Sequence, residues 1–275
     1  MHVKYDIPEL FYVKNISLRY NETCPTQFHV YPAYRFLENK VCSILQEIET
    51  KYHNFINTNI NKEEIIKEQA IHDTIAKSVQ YKDVDKPYSH EAPGPLLYDL
   101  GVCEGISKAT KYLCDALGLK CAVAIGDVKK GEVIIPHAWN IIWVDNSPYH
   151  VDITYDNGIS GGGIRYDYFN LSDSEVYNDR ERTSEYPLPV CHKSKNWYID
   201  NHLFFRSKTE FIHRLKELPL LDTFSFQLPL FDERREEAKE MINLIIREYI
   251  NPSIYNNTAY LLHYNLDRMV FEVVF

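Results

Sequence analysis

Apolar residues recur at helical spacing in two segments of the N-terminal third of the chain. In residues 33–57 they lie three or four positions apart, which predicts a long amphipathic helix. A second stripe over residues 65–79 predicts another helix, for which Asn61 can act as N-cap. Upstream of both, residues 10–19 and 27–30 have the composition of two short strands joined by a turn.

The middle of the chain changes from a helical pattern to strand patterns. Its apolar stripe predicts a helix from Cys103 to Gly118, a residue that commonly ends helices. Apolar stretches at residues 120–126, 132–144 and 149–154 then predict three strands. The middle one is apolar on both faces after His137, which is typical of a central strand.

These patterns divide the chain into three parts and predict an α+β fold. Residues 1–60 hold N-terminal strands and a long helix, and residues 61–185 hold a core in which a cysteine-bearing helix packs on an antiparallel sheet. Residues 186–275 form a small C-terminal α+β unit, which we expect to pack on the core because its closing strand is apolar. Its predicted elements are helices near 209–217 and 234–249 and strands near 224–228, 259–264 and 269–275.

Composition excludes several classes of protein. The 39 acidic and 30 basic residues give a formal charge of −9, which argues against nucleic acid as a partner because phosphate binding needs a basic surface. No stretch approaches the ~20 apolar residues of a membrane span. The first residues lack an apolar export core, so a cytoplasmic location is expected, with a removed export signal left open. The six cysteines show no close pairing, so neither a metal nor another cofactor is predicted.

A cysteine, a histidine and an aspartate follow one another on the predicted helix and strands. Asp145-Asn146 can form a two-residue hairpin turn, in which the numbers of paired residues sum to 291. Asp152 then shares a face of the sheet with His137, within reach of a diagonal side-chain contact. Cys103 lies in the first helical turn, where the helix N-terminus and a nearby imidazolium favour a thiolate.

The surroundings of the cysteine also suit a reaction at a carbonyl group. The backbone N–H of Cys103 is a first-turn donor that can stabilise an oxyanion. Gly101 and Gly105 are expected to leave room for an acyl group beside the sulfur.

Each of the three residues also has an ordinary structural interpretation. A single cysteine is often a buried apolar residue, a strand histidine is often packed in the core, and an aspartate can cap a loop. Their joint occurrence in a compatible order and on one face favours a functional site. His150 is a rival base, His72 is interpreted as a packed histidine, and Asp156 as a loop residue.

Three motifs resemble the transglutaminase-like superfamily, and most closely its bacterial branch related to cysteine proteases. They are Gly-Val-Cys-Glu-Gly at 101–105, His-Ala-Trp-Asn at 137–140 and His-Val-Asp-Ile-Thr-Tyr-Asp at 150–156. Residues 89–96 and 168–173 resemble the same branch.

The resemblance implies a papain-like core with Cys103 as nucleophile, His137 as general base and Asp152 as the residue that orients it. His90 and Tyr98 are the candidates for a further oxyanion donor, and Trp139 for a wall of the substrate site. The implied activity is acyl transfer from an amide of a protein or peptide, by a protease, amidase or transglutaminase. The alternative is a catalytically silent binding or scaffold protein. Nothing resembles a calcium loop.

Overall fold

The N-terminal part of the chain is a β-hairpin followed by a long helix. The hairpin strands are β1 (Val13–Asn21) and β2 (Cys24–Tyr34), preceded by a short helix α1 (Val3–Asp6) and a 3-10 turn, and α2 spans Glu38–Asn59. The helix begins later than predicted because residues 33–34 pair with β1 as strand. The computed structural model describes residues 3–21, 24–84, 88–182, 187–217, 223–229, 235–249 and 260–274.

The next part of the chain leads to the helix that carries Cys103. A helix, α3, is preceded at its N-cap position by Glu63, so the predicted Asn61 cap is wrong. A short parallel pair of strands before the helix that carries Cys103 places Tyr81 opposite Gly101. These elements are α3 (Glu64–Ser78), β3 (Gln80–Tyr81), α4 (Pro93–Tyr98), β4 (Leu100–Gly101) and α5 (Cys103–Ala116).

A four-stranded antiparallel sheet supports α5. Its strands lie in the order β7-β6-β5-β8, so β6 is central, as predicted. Ile106, Ala109 and Leu113 of α5 are at most 1% exposed and belong to the same core as Ile142 of β6. The elements of this part are β5 (Cys121–Lys130), β6 (Val133–Val144), β7 (Ser147–Val151), α6 (Ile153–Gly158), α7 (Asp173–Val176) and β8 (Arg180–Arg182).

The hairpin between β6 and β7 has the predicted register. Asp145 and Asn146 both have positive φ angles, of 51° and 61°, and the ladder pairs residues whose numbers sum to 291 from Val144 to Asn140. The predicted third strand is wrong at its end, because α6 begins at Ile153. The Asp152 carboxylate accepts the N–H of Tyr155 at 3.1 Å and so caps this helix.

The C-terminal part forms a second, smaller α+β layer. Its three strands lie in the antiparallel order β10-β11-β9, and their core includes Phe226, Ile242 and Phe271, none of which is exposed. The helices are α8 (Trp197–Asp200), α9 (Lys208–Glu217) and α10 (Arg235–Tyr249), and the strands are β9 (Thr223–Gln227), β10 (Leu261–Asn265) and β11 (Val270–Val274).

This C-terminal layer packs on the core through β11. Val270 belongs to the main hydrophobic core. Glu272 is fully buried and accepts the N–H groups of Gly161 and Gly163 at 2.5 and 3.1 Å. The guanidinium of Arg165 lies 3.8 Å from the same carboxylate and donates to the backbone carbonyl of Val270.

The predicted fold class is confirmed: helices and antiparallel sheets alternate, and the cysteine-bearing helix packs on the central sheet. None of the helices in the described ranges is both long and apolar enough to cross a bilayer.

Removal of the Glu272 carboxylate should weaken the contact between the C-terminal layer and the core. Glu272→Ala leaves two N–H groups without their acceptor and removes a negative charge 3.8 Å from Arg165, so we expect a loss of about 3 kcal/mol in the free energy of unfolding. Urea unfolding measures it, with Glu240→Ala on the exposed face of α10 as control. Equal stability of the two variants would contradict this docking contact.

Candidate active site

Cys103 is the first residue of α5, and its side chain is half-buried. The glycines around it serve packing, so the expectation that they leave room for substrate is wrong. A Cβ atom on Gly105 would lie 2.3 Å from the carbonyl oxygen of Ser89, and one on Gly101 would lie 2.7 Å from the ring of Pro95. These glycines allow the 88–95 segment to lie directly against the start of α5.

The structure brings Cys103, His137 and Asp152 close together. Nε2 of His137 lies 2.7 Å from Oδ2 of Asp152, and the Cys103 side chain is near enough to His137 to affect the pKa of the ring. Because Asp152 occupies Nε2, Nδ1 is the nitrogen available to the sulfur. Burial alone would lower the pKa of His137, but Asp152 and Cys103 outweigh it and raise the pKa to about 9.

Asp152 has three hydrogen-bond partners, and through them it connects His137 to neighbouring elements of the fold. One oxygen caps α6, while the other accepts from His137 and from Nη1 of Arg180. Burial alone would raise the pKa of Asp152, but His137 and Arg180 lower it to about 2. The carboxylate therefore stays ionised at neutral pH, although it is only 2% exposed.

Arg180 is a member of this site that the sequence analysis missed. Its side chain is fully buried, and its guanidinium also pairs with Asp179 at 2.9 Å. Three aromatic rings surround it, with centroids 5.4, 5.0 and 4.6 Å away, at Trp139, Tyr155 and Tyr168. Arginine over aromatic faces is a favourable cation–π arrangement. The guanidinium thus fixes the carboxylate that orients His137.

Trp139 packs beside the ring of His137 in the protein interior, so the prediction that it forms a wall of the substrate site is wrong. Its ring lies parallel to that of His137, with centroids 6.1 Å apart and planes at 15°. Only 1% of the residue is exposed, which excludes direct contact with a substrate. The indole N–H donates to Nδ1 of His150 at 2.9 Å.

His150 points away from Asp152, so the rival-base hypothesis is wrong. Its Nε2 lies 2.8 Å from Asp173, and together with Cys191 these residues place three potential metal ligands within 4.8 Å. The tryptophan N–H makes Nδ1 an acceptor, so the neutral ring carries its proton on Nε2. With Nε2 donating to Asp173, His150 has no lone pair for a metal at that position.

Tyr81 contacts the nucleophile, while the two predicted oxyanion donors do not. The Tyr81 hydroxyl lies near Cys103, and burial together with Cys103 raises the pKa of the tyrosine. His90 instead bridges two carboxylates at 3.2–3.3 Å. The ring of Tyr98 lies against Tyr88, with centroids 4.9 Å apart. Among the described residues, Tyr81 is therefore the better candidate for a second donor to an oxyanion.

Asp156 is a buried partner of His72, so its interpretation as a loop residue is wrong. The carboxylate accepts from His72 Nε2 at 3.0 Å and from the N–H of Tyr168 at 2.9 Å. His72 is packed, as predicted, but it is also hydrogen bonded to Asp73 and stacked on Tyr166. The pair ties α3 to α6, the helix that Asp152 caps.

Three comparisons place part of the chain among known proteins. Residues 54–153 match the family model described as the transglutaminase-like superfamily. A crystal structure described as a TGase shares 15% identity with the chain, covering 52% of it and 44% of the TGase, with a TM-score of 0.36. A protein from Cytophaga hutchinsonii described as a candidate cysteine protease also shares 15% identity, covering 51% of this chain and 61% of that one, with a TM-score of 0.33. The chain thus spans less than two thirds of either structure, and no curated protein matches it.

The His72–Asp156 pair should stabilise the protein in a pH-dependent way. Burial would lower the pKa of His72, but the hydrogen bonds from Asp156 and Asp73 raise it to about 9. A raised histidine pKa adds stability that is complete below the unfolded value of about 6.5 and is lost as pH rises through about 9.

The test is the stability difference between the wild type and Asp156→Asn at several pH values. We expect about 2 kcal/mol near pH 7.5, because burial raises the pKa of Asp156 to about 6 and the imidazolium of His72 there loses an ionised counter-ion, and a smaller difference near pH 9.5. Asp145→Asn, at the exposed hairpin turn, is the control. A difference that does not change between these pH values would show that His72 is neutral in the folded protein.

Proposed function

We propose that this protein is a thiol acyl-transfer enzyme that acts on an amide, and the match of residues 54–153 to the transglutaminase-like family model supports the proposal. Cys103 is the nucleophile, His137 the general acid and base, and Asp152 the residue that orients His137. The observation that carries the proposal is the His137–Asp152 hydrogen bond beside Cys103, with the cysteine at the start of a 14-residue helix.

The charge on His137 suits the first step of this chemistry. A pKa of about 9 keeps the ring protonated at neutral pH, and an imidazolium beside the sulfur stabilises a thiolate. The thiolate attacks the amide carbonyl carbon to form a C–S bond, and the carbonyl electron pair moves to the oxygen. His137 then protonates the amine nitrogen, the C–N bond breaks, and a thioester remains on Cys103.

Two groups can donate to the negative oxygen that forms. One is the backbone N–H of Cys103, the first residue of α5, and the other is the hydroxyl of Tyr81, which lies near Cys103. In this proposal both donate to the oxyanion of the tetrahedral intermediate. The raised pKa of Tyr81, caused first by burial and then by Cys103, keeps this proton on the hydroxyl at neutral pH.

The second step decides the reaction class. Neutral His137 takes a proton from an attacking water or amine, which releases the acyl group as an acid or as a new amide. Water gives protease or amidase activity, and an amine gives transglutaminase activity. We favour hydrolysis. The competing hypothesis is a silent scaffold that retains the fold.

Competition between two thiols of the same chain tests the nucleophile. Cys42 is exposed, whereas Cys103 is half-buried, so accessibility alone predicts that Cys42 reacts first. We expect limiting iodoacetamide at pH 6.5 to alkylate Cys103 roughly tenfold or more faster, because the imidazolium maintains a thiolate. Peptide mass spectrometry gives the ratio of the two rates.

The matched variant for this competition is Asp152→Asn, which should select the wrong tautomer of His137. The rate for Cys103 divided by the rate for Cys42 should then fall toward the value that the exposure of the two thiols predicts. Asp145→Asn should retain the wild-type ratio. The ratio should also fall as pH rises through about 9, where His137 loses its proton. A wild-type Cys103 that reacts no faster than Cys42 would favour the scaffold hypothesis.

Tyr81→Phe tests the second oxyanion donor. We expect on the order of a hundredfold loss in the rate at which Cys103 is acylated by p-nitrophenyl acetate, since one donor of the oxyanion is removed. Tyr98→Phe, the matched control, should react as the wild type does. Equal acylation rates in both variants would leave the backbone N–H of Cys103 as the donor that matters.

A further inference from the structure

A cavity of about 250 Å³ opens directly beside His137. Its walls come from β3, from the paired ends of β5 and β6, and from α6. Tyr81 and Ile135 at its mouth are 53% and 41% exposed, so the cavity is open to solvent. The volume lies below the ~300–1,000 Å³ of pockets that hold whole small ligands, and it suits one side chain of a longer molecule.

The lining of this cavity is apolar and, His137 excepted, uncharged. Val128, Ile135, Pro136 and Ile159 supply aliphatic surface. Tyr155 supplies an aromatic ring, and its hydroxyl is neutral because burial raises its pKa to about 12. An ammonium group placed here would lose water without gaining a partner of opposite charge, and for a carboxylate the one cation of the lining, His137, is already paired with Asp152.

The cavity is continuous with the catalytic groups and with an apolar surface outside. His137 and Tyr81 belong to its lining, and both contact Cys103. On the solvent side, Val133 and Ile134 at the end of the β5–β6 hairpin are 59% and 63% exposed. A ligand that fills the cavity while its carbonyl lies on Cys103 would continue over this hairpin end, as a peptide does and a small amide does not.

We propose that this cavity is a specificity pocket for an apolar side chain, aromatic or branched aliphatic, of a peptide substrate at the residue next to the attacked carbonyl. This inference rests on the proposed function and adds a substrate class to it. Burial of such a side chain against aliphatic and aromatic walls supplies the binding energy that places the carbonyl carbon near the sulfur.

Gly158 makes the pocket testable. It is the last residue of α6 and lines the cavity, and a Cβ atom built there meets no heavy atom within 4 Å. A larger side chain at this exposed position therefore adds bulk at the edge of the cavity without a clash at its Cβ atom. Gly158→Ala and Gly158→Leu form a graded series, and Glu49→Leu, on the exposed face of α2, adds the same side chain away from the cavity.

The experiment uses acetylated aminoacyl chloromethyl ketones that carry the side chain of phenylalanine, leucine, glycine, aspartate or lysine. Each rate of Cys103 alkylation is divided by the rate with iodoacetamide on the same variant, which removes changes in sulfur reactivity. In the wild type and Glu49→Leu we expect the phenylalanine and leucine reagents to be roughly tenfold or more faster than the other three. That advantage should shrink in Gly158→Ala and nearly vanish in Gly158→Leu.

Equal relative rates for all five reagents, at a Cys103 that outpaces Cys42, would overturn the pocket and leave the proposed function standing. An advantage that survives in Gly158→Leu would do the same. A wild-type Cys103 no faster than Cys42 would overturn the proposed function and the pocket with it. Should Gly158→Leu not fold, Val128→Ala is the second variant, because it enlarges the same cavity. It should raise the rate with a naphthylalanine reagent relative to the rate with the phenylalanine reagent. If the ratio of these two rates is the same as in the wild type, the pocket is also overturned.

Discussion

The carboxylate of Asp152 is the group on which the arrangement of the site depends. It is buried, and a carboxylate without partners in such surroundings would take up a proton. Its partners come from three elements: the ring of His137 on β6, the guanidinium of Arg180 on β8 and the first turn of α6. Because each partner is a hydrogen-bond donor, the ionised form is stabilised and the ring of His137 is held with Nε2 toward the acid. The second carboxylate on Arg180, that of Asp179, balances the guanidinium. Because the single positive charge of Arg180 is shared between two carboxylates, the negative charge of Asp152 still attracts the proton on His137.

Packing behind His137 completes the constraint. The parallel ring of Trp139 leaves the imidazole little freedom to turn, and Trp139 is itself held by His150, which is held by Asp173. Each link is buried or half-buried, so loss of one leaves a polar atom without a partner at an expected cost of about 1–3 kcal/mol. In the proposed reaction, a histidine held in this way would not have to be ordered at each turnover, and ordering of loosely held groups costs rate.

The parts of the site that the sequence predicts are those fixed by local rules. The Asp145-Asn146 turn determines the register of β6 and β7, and this register brings His137 near Asp152. Arg180 and Tyr81 were not predicted by these rules. Arg180 reaches the site from an edge strand, and Tyr81 reaches it through a parallel pairing with a residue about twenty positions further along the chain. No periodicity indicates such contacts, since they depend on how the layers pack. The Asp156–His72 contact, 84 residues apart, was missed for the same reason.

The start of α5 shows how the rest of the chain compensates the charge beside Cys103. Glu104 follows the cysteine, and its negative charge would oppose a second one on the sulfur. Lys108, one turn further and 1% exposed, lies 2.7 Å from that carboxylate, and His90 pairs with it from the other side. Burial would raise the pKa of Glu104, but Lys108 and His90 lower it, so the acid is ionised and compensated. Lys108 is held in turn by Glu91, which also binds Lys4 and Arg35 of the N-terminal part. Residues before the matched region thus reach the start of α5 through a chain of ion pairs.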